Sequence, residues 1–518
     1  MSKKRYALIL LLSLILLGAL ALRIYKIGSH DLWFDEVLSS YRAESLTKYT
    51  PFDMNPPLYY LIIHFWIKFF GNNEFNLRFL SAIFSTASIF ILYKLGKLLL
   101  NKKVGLISAF LLAISPIHIW YAQEARGYSL STFTITAAVY FFILALRKDK
   151  LVLWVLFVLS SVVSLYGSYY YLFILPGELL LLLSIKKYRS SIGKWAVCSL
   201  FILVSFLPFL KIFFNHFKSV KENFWTDAPT LNSIFISFEN FNVGYNASST
   251  VYFVSSFFFL GLLIGGIVYC LRNCKENLII FASFLLLPIA VIFAVSQWIP
   301  IYIDRQLMLY SPFYYFVIAT GIAALKQYPV AKTTVFLIVF GLSALSLVNY
   351  YSDFMPAPLA HRVGNYIKKP FKPAVSYLKK NYREKDIIIH SHPFTTVTFE
   401  YYWKADASGN SHYPDASSYF LIISEKNKYW TKETRNHFKR NPPKAERIFK
   451  FIKDIQYGRL GRVWLISCGL ERKGEIDENT LEVEELLRKN YVIVEGKEFD
   501  GIFVTLYLPR INSRKEEK

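Results

Sequence analysis

Charge is scarce in this chain. Only 18% of its 518 residues are charged, against 54% hydrophobic and 18% aromatic. A soluble chain of this length would show far more charge around a few cores, so a soluble globular protein is excluded. Cysteine is scarce too. Cys198, Cys270, Cys274 and Cys468 fit neither a metal-ligand spacing nor a disulfide framework, which leaves them structural roles. Internal repeats and low-complexity tracts are missing. So are paired broken spans in matching halves, the pattern of many transporters. Nucleic-acid motifs are absent despite a formal net charge of +23. In a membrane chain such an excess belongs to Lys and Arg on cytoplasmic loops.

Hydrophobic sequence is abundant, in runs of about 17–23 residues, the length that crosses ~30 Å of hydrocarbon. The runs fall near 6–22, 77–99, 104–121, 128–146, 151–167, 169–185, 195–213, 251–271, 276–296, 306–325 and 332–350, which predicts about eleven spans. Lys3, Lys4 and Arg5 precede the first run, and Ala19-Leu20-Ala21 mimics a signal-peptide cleavage site. The polar region that precedes such a site is absent, so this run is expected to stay as a first span with a cytoplasmic N-terminus.

A shorter apolar piece, 57–70, opens on Pro56-Pro57 and carries His64 and Lys68. A proline pair can begin a helix but cannot sit inside one. Charge decides its placement. The basic connections Lys94–Lys103, Arg147–Lys150, Lys186–Lys194, Arg272–Lys275 and Lys326–Lys332 share the side of Lys3–Arg5 only if 57–70 does not cross. It is therefore expected to lie at the outer face of a multi-pass protein of the plasma membrane. On that topology 31–36, 123–128, 166–171, a long loop at 214–250, 298–306 and the C-terminal region all open outside the cytoplasm.

Near Ala357 the long apolar runs stop. Short β-rich stretches at 386–389, 419–423, 462–467, 491–495 and 502–508 alternate in part with helical patterns at 373–381 and 481–489, which suggests a small α/β domain. The expected division is a membrane domain over 1–355, an extracytoplasmic α/β domain over 356–511, and a charged tail at 512–518.

Several stretches on the expected outer side carry chemistry-capable groups. Asp35 and Glu36 follow the first span within Asp31-Leu32-Trp33-Phe34-Asp35-Glu36. Such an acid pair is either an interfacial loop or a reaction centre. Asn55-Pro56-Pro57-Leu58-Tyr59-Tyr60 reads equally as a helix start with interfacial tyrosines. Glu124 and Arg126, in Gln123-Glu124-Ala125-Arg126-Gly127-Tyr128, sit at a helix end where unpaired charge is costly, so they are either a structural ion pair or functional groups. Arg305, in Ile303-Asp304-Arg305-Gln306, offers a planar fork suited to phosphate, or pairs with Asp304. Tyr166, Tyr169, Tyr170 and Tyr171 either line a ligand path or form an aromatic belt. Asn246-Ala247-Ser248 matches the glycosylation acceptor pattern.

Taken in order, the acid pair after the first span, Pro-Pro-Leu-Tyr-Tyr, Gln-Glu-Ala-Arg-Gly-Tyr and the later Arg-Gln-Leu resemble the GT-C glycosyltransferases that use lipid-phosphate sugars. The nearest branch is that of the protein O-mannosyltransferases and the lipid A aminoarabinose transferases. The resemblance covers roughly residues 1–325. It implies a polytopic α-helical GT-C fold with outer juxtamembrane helices, and an inverting transfer of a sugar from a polyprenyl or dolichyl phosphate to an extracytoplasmic acceptor. By position it implies Asp35 as catalytic base with Glu36 beside it, and Arg126 and Arg305 at the donor phosphate. Glu124, Asn55, Tyr59, Tyr128 and Tyr169 support them. Some family members bind a divalent metal. Two family histidine positions are filled here by Asn55 and Ser168, so the cofactor stays open. The partners implied are the lipid-linked donor, the acceptor and membrane lipids, with no nucleic acid. A lipid flippase and a non-catalytic membrane subunit are the rival classes.

Overall fold

The computed structural model describes residues 3–44, 55–223, 226–365, 367–391, 393–405, 418–420, 455, 457, 459–468 and 478–510. The chain divides into two compact units, Met1–Gly28 with Arg42–Asn365, and Ser29–Tyr41 with Tyr366–Lys518. The division falls after Asn365, and the stretch holding Asp35 and Glu36 counts with the second unit.

The first unit is helical. Among the described residues, eight helices are long and apolar enough to cross a membrane, or up to nine if the pair Lys102–Ala113 and Pro116–Ala122 is one span. Leu151–Gly167 and Tyr169–Ser184 are shorter apolar helices. The 104–121 run is bent by 60° between its two helices. Pro116 has no N–H and drives the residue before it out of the α region, and Ser115 is extended there, at φ −65° and ψ 118°. Burial grades the spans. In the most apolar stretch of Asp304–Gln327, 89% of residues are buried, against 11% in Tyr6–Ile24. Close helix approach needs small residues, because no water-driven force gathers helices in lipid. A Cβ on Gly321 would lie 2.3 Å from Leu262 O, and one on Gly266 would lie 2.3 Å from Val317 O.

The expected loop at 214–250 is largely helical, with Leu210–Asn223 and Leu231–Val243. The second helix begins at a reciprocal cap between Thr230 and Ser233, the kind that satisfies orphan N–H groups. In this fold the side chain of Asn246 is buried, and its Nδ2 donates to Phe354 O at 2.9 Å.

The second unit holds a five-stranded sheet of order β2-β1-β3-β5-β4, made of β1 (Ile387–His390), β2 (Ser418–Phe420), β3 (Val463–Cys468), β4 (Tyr491–Phe499) and β5 (Ile502–Pro509). β1 pairs parallel with β2 and β3, while β5 pairs antiparallel with β3 and β4. Every residue of β3 is buried, including Cys468, as expected for a strand covered on both faces. Asp500 and Gly501, both at positive φ, make the two-residue hairpin turn that Asp-Gly favours. Val463, Leu465, Val483, Leu487 and Tyr507 form the core, between the sheet and the helix Glu478–Asn490.

Candidate functional site

In the second unit, the helix Phe34–Glu44 carries both acids in its first turn. Trp33 stands just before it. Its carbonyl accepts from the Glu36 and Val37 N–H groups, each at 3.0 Å, and its own N–H donates to Glu36 Oε2 at 3.3 Å. A carboxylate reaching back in this way satisfies an orphan donor and favours the positive end of the helix dipole. Glu36 is fully buried, and Lys368 Nζ lies 3.5 Å from it. Asp35 is only partly buried, and its carbonyl accepts from Ser39 Oγ at 3.1 Å. The stretch before the helix is held by its backbone and by Asp31. The Leu32 N–H donates to the Tyr402 hydroxyl at 2.6 Å, and Asp31 Oδ2 accepts the Lys372 N–H at 2.7 Å. The Phe34 and Phe394 rings lie 4.7 Å apart.

In the first unit, the break after Ala122 forms a turn from Gln123 to Gly127. Glu124 Oε1 accepts from Trp120 Nε1 at 2.8 Å, and the Arg126 N–H returns to Glu124 O at 2.8 Å. Glu124 and Arg126 are buried. Tyr59 meets this turn from the helix Leu58–Phe70. A Cβ on Gly127 would lie 3.3 Å from Tyr59 Cβ. Ser81 Oγ stands 3.4 Å from the Tyr59 hydroxyl and donates to Arg126 O at 3.3 Å. Asn55 is partly buried, two positions before the Pro57 that precedes that helix.

Tyr128 packs on Tyr121, with ring centroids 4.8 Å apart. The Tyr121 hydroxyl donates to Asn365 Oδ1 at 3.0 Å, so the Tyr245 hydroxyl, also 3.0 Å away, donates to Tyr121. Burial pushes the Tyr245 phenol well above its ordinary value. Asp304 and Glu124 add to the rise, while the Arg305 guanidinium opposes it. The carboxylate of Asp304 is taken up by Ser237 Oγ at 2.5 Å and Asn240 Nδ2 at 2.7 Å.

The hydroxyls of the tyrosine cluster bond to separate partners. Tyr166 donates to Ser205 O, Tyr169 pairs with His216 Nδ1, Tyr170 donates to Ile301 O, and Tyr171 donates to Glu178. Sequence reasoning gave no sign that Tyr170 reaches Ile301. It also missed Tyr245, Asn365 and Lys368, none of which stands in a distinctive motif. His64 Nδ1 meets Ala43 O at 2.5 Å, and His118 Nε2 meets Ser311 Oγ at 2.6 Å. Among the described residues, no three of His, Cys, Asp and Glu come together as a metal-ligand group.

Known proteins share this architecture. The chain aligns over 98% of its own length and 98% of the other chain with ArnT from Cupriavidus metallidurans, at a TM-score of 0.56 and 13% identity to its complex with undecaprenyl phosphate. Against the apo state of ArnT the TM-score is 0.58, at 12% identity. Residues 54–212 match the family model described as dolichyl-phosphate-mannose-protein mannosyltransferase. The chain thus has the GT-C fold, and within it residues 54–212 carry the match to the mannosyltransferase family model. Among curated relatives, an uncharacterized protein of Aquifex aeolicus is 27% identical over 235 residues, 40% of this chain and 46% of that protein. YkcB of Bacillus subtilis, by provisional name a mannosyltransferase, is 28% identical over 172 residues, 30% of this chain and 23% of YkcB. The matches thus span less than half of either relative.

Proposed function

We propose that this protein is an integral membrane glycosyltransferase. It takes a sugar from a polyprenyl or dolichyl phosphate and gives it to a hydroxyl-bearing acceptor outside the cytoplasm. The observation that carries the reading is the division of labour between adjacent acids. Glu36 is buried, spent on the helix cap and facing Lys368, while Asp35 beside it keeps partial access. A hydroxyl is a weak nucleophile until a positioned carboxylate takes its proton. In the proposed step the acceptor oxygen attacks the anomeric carbon, and its proton passes to Asp35. The bond from that carbon to the phosphate oxygen breaks, and the lipid phosphate leaves with the electron pair. A single displacement of this kind inverts the anomeric centre.

Arg126 and Arg305 are assigned to the departing phosphate, where preorganised cations oppose growing negative charge. Glu124, Asn55, Tyr59, Tyr128 and Tyr169 are assigned supporting roles around them. No step here is routed through a metal. The N-terminus is assigned to the cytoplasm and the α/β domain to the outside, on the charge asymmetry of the loops. The test is sugar transfer by the purified protein in lipid, with a labelled polyprenyl-phosphate sugar. Asp35→Asn is expected to lower turnover by about 10²–10⁴-fold with unaltered expression and melting, and full activity in that variant removes the base.

A further inference from the structure

Gln123 stands one residue before Glu124 and is buried, and its amide is used at both ends. Nε2 donates to the carbonyls of Tyr25 at 2.7 Å, Arg23 at 3.0 Å and Leu22 at 3.4 Å. Oε1 accepts from the Tyr350 hydroxyl at 2.8 Å. The three carbonyls are the open end of the helix Lys3–Ile24. A helix leaves its last carbonyls without partners, and hydrocarbon offers no water to supply them.

The opposite exchange runs through Arg23, which is fully buried. Its Nη1 donates to Ala113 O at 2.9 Å and its Nη2 to Leu112 O at 3.1 Å. These carbonyls end the helix Lys102–Ala113, just before the break at Ser115-Pro116. Its Nε is held by Ser85 Oγ at 2.8 Å. Gln123 thus closes the end of the first helix, and Arg23 closes the end of Lys102–Ala113. Tyr350 ties Gln123 to the helix Pro329–Tyr351. Only a primary amide of this length suits the post. A carboxylate has no proton to give the carbonyls, and an ammonium has no lone pair for the tyrosine.

We infer that Gln123 is a positioning residue for the Glu124–Arg126 turn, setting the reach of the Arg126 guanidinium toward a lipid-borne phosphate. The inference rests on the reading of Arg126 given above. A side chain that merely held a helix end would alter melting, not the preference for an anionic head over a neutral one of the same tail. The decisive measurement is that preference.

The full-length protein in lipid nanodiscs is titrated with undecaprenyl phosphate and, separately, with undecaprenol. The wild type is expected to favour the phosphate. In Gln123→Ala that preference falls by about tenfold or more, as for a misplaced charge-assisted contact, while undecaprenol binding stays within about twofold. Tyr350→Phe removes one hydroxyl from the same amide and leaves the packing. It is expected to lower the preference by about threefold. This second variant decides the matter if Gln123→Ala yields no folded protein. A wild type that does not separate the two lipids sinks the phosphate reading and this inference with it. A discriminating wild type whose folded variants keep its ratio overturns this inference alone.

Discussion

Lys368 Nζ lies 3.5 Å from both Glu36 Oε1 and Glu36 Oε2, and the Glu36 side chain is fully buried while that of Lys368 is 12% exposed. Taking one partner from a buried pair strands the other charge in a poor solvent. Lys368→Met is expected to cost about 1–3 kcal/mol, less than a wholly buried pair because Lys368 touches water. Adding Glu36→Gln, which keeps an acceptor for the Trp33 N–H, should recover part of the loss. Thermal unfolding of both single variants and the double variant measures the coupling, and additive losses would mean the two side chains do not hold each other.

Arg126→Ala is expected to raise the donor Michaelis constant and lower turnover, each by about tenfold or more, with the acceptor constant little changed. Arg126→Lys keeps the charge but not the planar fork, so it should recover only part of the activity. Steady-state kinetics with each substrate varied in turn checks this. Equal losses for donor and acceptor count against a phosphate contact.

Gly127 has φ −70°, so no backbone strain forbids a side chain there, and the nearest atoms an added Cβ would meet belong to Tyr59. Gly127→Ala asks its neighbour to give by a few tenths of an ångström, and activity is expected to stay within about threefold. Gly127→Leu overpacks the contact, at about 1–3 kcal/mol, and activity should fall by more than about tenfold. Tyr59→Ala in the Gly127→Leu background reopens the space. If melting temperature in that double variant does not rise above Gly127→Leu alone, the clash lies elsewhere.

His390 ends β1, with Nδ1 3.0 Å from Thr395 Oγ1. Burial lowers its pKa from 6.5 to about 3. The folded form therefore keeps the ring neutral while the unfolded chain takes up a proton as pH falls through about 6.5. Stability conferred by this site is complete above that value and declines from there toward pH 3, by at most about 1.4 kcal/mol per pH unit. His390→Asn should flatten the slope between pH 6.5 and 5. Thermal melts of the intact protein across that window test it, and an equal slope in the variant assigns the acid sensitivity to other groups.

The apolar runs, the break in composition near Ala357 and the strands at Ile387–His390 and Val463–Cys468 were legible because each is a local property of consecutive residues. The helix Leu231–Val243 was not, because Glu239, Asn240 and Asn242 interrupt its apolar run and hydropathy alone registers a loop. Asp35 and Glu36 are chemically alike neighbours. Glu36 caps Trp33 locally, but it also meets Lys368, 332 positions away, which no window along the chain contains. The four tyrosines at 166–171 looked like one surface, yet a short 3₁₀ turn, Tyr169–Phe173, sends them to separate partners.

Membrane residence could be read from residue order because hydrocarbon thickness sets a minimum run length, and run length is one-dimensional. Which carboxylate is buried, which partner each tyrosine hydroxyl meets and which amide closes the first helix could be decided only in three dimensions. Burial and hydrogen bonding depend on groups that distant segments bring together, and their strength changes over a few ångströms that spacing along the chain does not encode.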